Sequence, residues 1–305
     1  MKNQKLICIG GPTCVGKTAL GIEIAKKFGG EIVSCDSIAI YRDIDIGSAK
    51  PTKQEQSQAK HHMIDVVLPN SEYSVAEYCK DANAKIEEIY SRKKIPIVVG
   101  GTGLYMKSLL FDMDFGKSEK SDEIRKKYKK IAEEKGNEYL LDYLKTIDEK
   151  SAEKLHPKDQ RRIIRAIEIF ELTNKKKSDY VNDKKSKYDY LLIFLNDDRK
   201  NLYARIDDRV DKMFDLGLED EVKNLVKKYN LTRESQSMGA IGYREFFDYF
   251  EGKIDHKQLV EKIKLDSHHY AKRQVTWFKK MPLVQEFDCH DKTAIMQKVE
   301  DFCQK

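Results

Sequence analysis

No apolar run in this 305-residue chain approaches the roughly 20 residues that a membrane span needs. The opening MKNQKLICIGG passes from two lysines straight into a short strand-like run. It lacks the longer apolar core and cleavage site of a secretory signal. The six cysteines, at 8, 14, 35, 79, 289 and 303, include no CxxC pair, which argues against a disulfide framework and for a reducing compartment. The sequence Asp288-Cys289-His290 has no matching ligand pair elsewhere, so zinc is not expected there. Tandem repeats and low-complexity linkers are also absent. Together these absences predict a cytoplasmic protein without membrane association, and a monomer is the default expectation.

Apolar residues make up 40% of the chain, which excludes a disordered one. The net charge of +6 is unevenly placed. Residues 117–187 carry 21 Lys and Arg against 15 Asp and Glu, whereas the remainder is balanced at 36 against 36. Such asymmetry suits either a module facing a polyanion or a solvated helical surface.

Residues 5–9 (KLICI), 31–36 (EIVSCD), 95–101 (IPIVVGG) and 190–196 (YLLIFLN) read as strands. Apolar residues at helical spacing follow the first (Leu20, Ile24, Ala25, Phe28), and another helix precedes the third. This alternation predicts an α/β fold: a P-loop NTPase-like parallel sheet flanked by helices. Residues 117–187 hold one glycine and one proline among charged helix formers, and predict an all-helical insertion domain. The core is expected at 1–116 and 188–305, with mostly helix after residue 196. Ligands of such sheets gather outside the carboxyl ends of the strands. The glycine loop, Asp36 and Thr102 are therefore expected to share one crevice.

Gly11, Gly16, Lys17 and Thr18 fit the spacing GxxxxGK[ST] between a strand and a helix. Glycines let backbone N–H groups curl toward phosphate oxygens, and the helix adds the positive end of its dipole. Gly11, Pro12, Thr13, Cys14, Val15, Gly16, Lys17 and Thr18 are the expected diphosphate- or nucleotide-binding residues, with Thr18 holding Mg²⁺ through its hydroxyl. The motif leaves the reaction open. Asp36, ending a strand, fits either a metal-holding carboxylate or a general base facing bound phosphate, and a helix cap or turn residue is the plainer alternative.

Ordered motifs along nearly the whole chain resemble the bacterial tRNA dimethylallyltransferases, also called tRNA isopentenyltransferases. They are GGPTCVGKT (10–18), DSIAIYRDIDIGSAKP (36–51), HHMID (61–65), GGTGLY (100–105), RVDKMFDLGLEDEV (209–222), AIGYREF (240–246) and YAKRQVTWF (270–278). Cys14-Val15, Ile38-Ala39 and Ser48 depart from the usual pattern without removing a charged group. The resemblance implies transfer of a dimethylallyl group from dimethylallyl diphosphate to the N6 amine of the adenosine 3′ of a tRNA anticodon, with release of pyrophosphate. It implies Asp36 as general base, Thr102 beside the target base, and Lys17, Thr18 and Arg209 with Mg²⁺ on the diphosphate. It further implies tRNA contacts at Asp36, Ser37, Ile38, Ala39 and Thr102, and along Gln160, Arg161, Arg162, Ile163, Ile164 and Arg165.

At 100° per residue, Lys158, Arg161, Arg162 and Arg165 share one arc of a helix, opposite Ile163, Ile164, Ile167 and Phe170. One face packs and the other offers cations suited to the anticodon stem-loop backbone or to water. Tyr243 is a candidate for base stacking, as is Trp277, for which a core position is the plainer reading; Arg244, Lys272 and Arg273 are candidates for phosphate contacts. His61-His62 reads as structural and His268-His269 as helix surface. The alternative functions are a P-loop kinase for a small molecule or nucleotide, and a non-enzymatic RNA-binding scaffold.

Overall fold

The computed structural model describes residues 4–111, 120–180 and 186–304. Within the segment expected to be the helical insertion, residues 117–119 and 181–185 lie outside the described residues. The chain forms two compact units, Met1–Leu110 with Ser186–Lys305, and Phe111–Lys185.

The larger unit opens with β1 (Lys5–Gly10), α1 (Lys17–Phe28), β2 (Gly30–Ser34), α2 (Lys53–Gln58), β3 (His61–His62), α3 (Val75–Ser91), β4 (Ile95–Gly100) and α4 (Gly103–Phe111). The smaller unit holds α5 (Asp122–Ile147), α6 (Glu149–Ala152) and α7 (Gln160–Thr173). The larger unit resumes with β5 (Asp189–Asn196), α8 (Arg199–Asp215), α9 (Leu218–Tyr229), α10 (Phe246–Phe250), α11 (His256–Phe278), β6 (Val284–Asp288) and α12 (Lys292–Gln304).

The six strands form one sheet in the order β3-β2-β4-β1-β5-β6, and every pair is parallel. β1 lies between β4 and β5, with Ile9 opposite both Val99 and Ile193. Both faces of β1 are covered. Ile7 and Ile9 join Leu20, Ile24, Leu202 and Val299 in one cluster, while Leu6 and Cys8 are buried on the other face. That double burial is why the strand reads as an unbroken apolar run rather than an alternating one.

Two strands escaped the sequence reading, β3 and β6. β3 is only two residues long, and β6 (VQEFD) is a partly exposed edge strand in which consecutive Gln285 and Glu286 break the apolar–polar alternation. Neither pattern stands out from a loop.

The smaller unit has its own core, in which Tyr128, Leu140 and Leu144 of α5 meet Ile163 and Ile167 of α7. α5 breaks at Gly136, whose φ of 86° is a left-handed conformation that a side chain would strain. Glu168 is fully buried beside this core and takes the Arg125 and Arg165 guanidinium groups at 2.6–2.9 Å. Burial works against its charge, but those hydrogen bonds outweigh the penalty and hold its carboxyl below the usual range.

The last residue of β4 approaches the chain beyond β2 very closely. A Cβ on Gly100 would lie 2.0 Å from the carbonyl oxygen of Cys35. Gly100→Ala must push the two strand ends apart, and overpacking of this kind costs on the order of 3 kcal/mol. Urea denaturation of the variant should show that loss as a lower midpoint with an unchanged slope.

Candidate active site

The loop after β1 turns into α1 through Gly16, whose φ of 93° places it in the left-handed region as the helix N-cap. Lys17 and Thr18 open the helix. The Lys17 Nζ donates to the Pro12 carbonyl at 2.6 Å. Burial lowers its pKa to about 8; the charge of Asp36 works in the opposite direction, and the Arg209 guanidinium adds to the lowering. Arg209 donates from Nη1 to the Thr13 hydroxyl at 2.6 Å. Arg205, one turn earlier on α8, holds the Cys14 carbonyl at 3.0 Å. Val15 packs inward into the core. Two α8 arginines thus brace a loop that already carries Lys17.

Asp36 stands two residues beyond β2. Its Oδ1 accepts from the backbone N–H of Ile38 at 2.8 Å and of Ala39 at 3.2 Å, which fixes the carboxylate in a turn. The turn occupies Oδ1, and a carboxylate has a second acceptor atom, so the turn role does not exclude a role in proton transfer. Thr102 follows β4. Its hydroxyl accepts from the Ser37 N–H at 3.1 Å, and its own N–H donates to the Cys35 carbonyl at 3.2 Å. Asp36, Ser37 and Thr102 therefore form one linked group.

Helix α11 supplies two residues, Gln274 and Tyr270, to which the motif YAKRQVTWF by itself gives no role. Gln274 is buried; it accepts from the Thr13 N–H at 2.9 Å and donates to the Gly101 carbonyl at 3.0 Å. Tyr270 pairs with Thr102, and burial together with the nearby Asp36 charge raises its phenol well above the usual value. Trp277 is 41% exposed rather than in the core, with one edge against Gly103. Four-residue spacing on one helix face would have grouped Tyr270 with Gln274, but a neutral amide beside two cations gives no chemical signal in sequence.

Several expected tRNA contacts have other surroundings. Tyr243 has no exposed surface for stacking: its hydroxyl donates to Glu221 at 2.7 Å and its ring lies against Gly47. Glu221 also accepts from the N–H groups of Asp45, Ile46 and Gly47 at 2.7–3.2 Å. Lys50 joins the Tyr41 carbonyl, Asp45 and Asp65 at 2.5–2.9 Å. Much of the motif DIGSAKP is thus loop architecture. Arg244 is held between Glu245 and Asp266 at 2.6–2.7 Å, and the side chain of Ala39 is buried. Lys272 and Arg273 are exposed, with Arg273 beside the Tyr270 ring.

In the smaller unit Ile163 and Ile164 are core residues, so their side chains offer nothing to RNA. Arg161 and Arg162 are exposed, Arg162 pairing with Asp159 at 3.4 Å, while Arg165 is tied to Glu168. Gln160 donates to Asn137 at 2.9 Å. Of the histidines, His62 bonds Glu31 at 2.7 Å and His268 stacks on Tyr203 at 4.1 Å. The structure also brings Asp197 beside Cys289 and His290, a neighbour that sequence could not supply, and Arg205 holds that carboxylate at 2.5 Å.

A strand, a glycine loop closing on a lysine, and a helix at the carboxyl edge of a parallel sheet define a P-loop protein. The IPP transferase family matches residues 39–281. A tRNA dimethylallyltransferase of Caldanaerobacter subterraneus subsp. tengcongensis is 47% identical over 293 residues, spanning 94% of this chain and 92% of that protein. That of Bacillus cytotoxicus is 45% identical over 297 residues, spanning 96% and 93%. The solved tRNA isopentenylpyrophosphate transferase of Bacillus halodurans aligns with a TM-score of 0.73 at 37% identity, covering 99% of this chain and 96% of its own. A eukaryotic dimethylallyltransferase, solved in a study of its action on tRNA, aligns at 0.84 and 33% identity, covering 99% and 80%. The chain belongs to the IPP transferase family.

Because the Lys17 amine is charged below a pKa of about 8 and neutral above it, its attraction for an anion is present at neutral pH and lost as pH rises through that value. Calorimetric titration with pyrophosphate from pH 7 to 9.5 should show affinity falling across this window. Lys17→Met should bind more weakly at pH 7 and lose that part of the pH dependence.

Proposed function

We propose that this chain transfers a dimethylallyl group from dimethylallyl diphosphate to the N6 amine of the adenosine 3′ of a tRNA anticodon, releasing pyrophosphate. The observation that carries the reading is the linked Asp36–Ser37–Thr102 group close enough to the phosphate loop for Asp36 to act on the Lys17 amine. A kinase reading accounts for the loop but gives no work to the cationic face of α7.

In this reading the diphosphate lies along residues 11–18, with Lys17, Arg209 and loop amides facing its oxygens. The adenine amine is a poor nucleophile. Asp36 accepts its proton as the new N–C bond forms and the C–O bond to the diphosphate breaks. Charge then grows on the departing pyrophosphate, where fixed cations and N–H groups stabilise it more in the transition state than in the ground state. Thr102, held by Ser37, orients the base. Water must be kept from the prenyl carbon, since it competes with the amine for that carbon.

A hydroxyl oxygen suits a hard divalent cation such as Mg²⁺, and the Thr18 hydroxyl would hold it. When bound, the ion would supply positive charge to the leaving diphosphate. An adenine in a stacked loop has to swing outward, at a cost of a few kcal/mol. Backbone contacts from Arg161, Arg162, Lys272 and Arg273 would offset that cost.

Asp36→Asn keeps an acceptor for the Ile38 and Ala39 N–H groups but accepts a proton poorly. It should bind a tRNA anticodon stem-loop normally and lose about 100- to 10,000-fold in turnover. Single-turnover incorporation of labelled dimethylallyl diphosphate, with labelled ATP as a parallel donor, tests both points. Full transfer by the variant would remove Asp36 from the reaction, and phosphate incorporation from ATP would replace the reaction itself.

A further inference from the structure

Residues 270, 274, 277 and 278 lie on one side of α11, spaced as neighbours on a helix surface. Phe278 lies against the end of β1, and the other three meet the loops at the carboxyl edge of the sheet. The Phe278 ring lies 2.2 Å from where a Cβ on Gly10 would stand, and the Trp277 ring 2.1 Å from one on Gly103. Tyr270 reaches Thr102. Gln274 is the member that bonds to both loops, and each of its partners is a backbone group.

The Gln274 carboxamide accepts the Thr13 N–H of the phosphate loop and donates to the Gly101 carbonyl, one residue before Thr102, at 2.9 and 3.0 Å. It is 5% exposed, and a Cβ on Gly101 would sit 2.2 Å from its Nε2. A short planar group with one donor and one acceptor end spans the gap and admits little variation in its width. Glutamate would set an acceptor against the Gly101 carbonyl, and methionine would match the length with neither bond.

We infer that Gln274 is a positioning residue that fixes the distance between the loop binding the prenyl diphosphate and the loop holding the acceptor base. This role rests on the function proposed above. The residue contacts neither reacting atom. Its effect is to keep the prenyl carbon within reach of the adenine amine, where a misplacement of about 1 Å costs about 100-fold in rate. A prenyl carbon out of line with the amine is left to water. Water then forms the C–O bond, the diphosphate leaves with the bonding electrons, and the products are dimethylallyl alcohol, a proton and pyrophosphate.

The test uses the full chain with Gln274→Met and Gln274→Glu. Four quantities are measured: pyrophosphate affinity, prenyl transfer to an anticodon stem-loop, pyrophosphate released per prenyl group transferred, and the thermal midpoint. Trp277, the one tryptophan of the chain, adds a readout independent of activity, because it seats the base loop through Gly103. In the unaltered protein, adding pyrophosphate should change its emission. In Gln274→Met that change should disappear while pyrophosphate affinity persists, turnover should fall about 100-fold, and release should exceed transfer. Gln274→Glu should also be slow and uncoupled. Normal turnover with one-to-one release in both variants would overturn the inference. So would loss of pyrophosphate binding together with a lowered midpoint in both, which would mark a residue that only holds the fold. If the unaltered protein transfers no prenyl group, the proposed reaction fails, and the Trp277 response still decides whether Gln274 links the loops.

Discussion

The site depends on how closely the ends of β2 and β4 approach each other. At Gly100 the neighbouring Cys35 carbonyl occupies the space a side chain would need, and the Thr102 N–H then donates to that same carbonyl. From this contact the rest follows in short steps. Thr102 is brought to Ser37, Ser37 adjoins Asp36, and Asp36 is tied into its turn by two backbone N–H groups. A carboxylate, a hydroxyl and a lysine reach one edge of the sheet because bare backbone allows two strands to end almost in contact. The carboxylate and the hydroxyl are held by the chain's own backbone hydrogen bonds, and groups fixed in this way act strongly on a reacting centre.

The larger part of the fold was legible in the sequence because its signals are local. β1, β2, β4 and β5 are short apolar runs bounded by glycine or polar residues, and Lys17 follows a loop whose spacing has a mechanical reason. The two faces of α7 were equally plain, since the isoleucines and arginines separate at helical period. What failed was inference from residue type where burial is decided far away. Tyr243 beside Arg244 has the composition of an RNA contact, but Glu221, distant in sequence, draws its hydroxyl inward. Gln274 was passed over for the converse reason. It carries no charge, and its importance comes from two partners at positions 13 and 101.

The cations divide in the same way. Arg125 and Arg165 are absorbed by a buried carboxylate, and Arg244 by two acidic neighbours. A count of basic residues therefore overstates the charge available to a polyanion. Arg161, exposed and without an ion-pair partner among the described residues, offers more per residue than the segment average suggests. Specific placement, rather than the excess of +6, decides what such a surface recruits.

Glu221 gathers the backbone of Asp45, Ile46 and Gly47 from as many as 176 residues further along the chain. A ribosome therefore releases the DIGSAK segment long before the carboxylate that shapes it exists. β1 is completed late on one side only, since β4 pairs with it from the earlier half and β5 from the later. The amino-terminal half therefore leaves the exit tunnel with one edge of β1 unpaired, and the DIGSAK loop takes its final form only when synthesis has passed α9. Contacts of such long sequence separation favour late, all-at-once closure over stepwise assembly from the amino terminus.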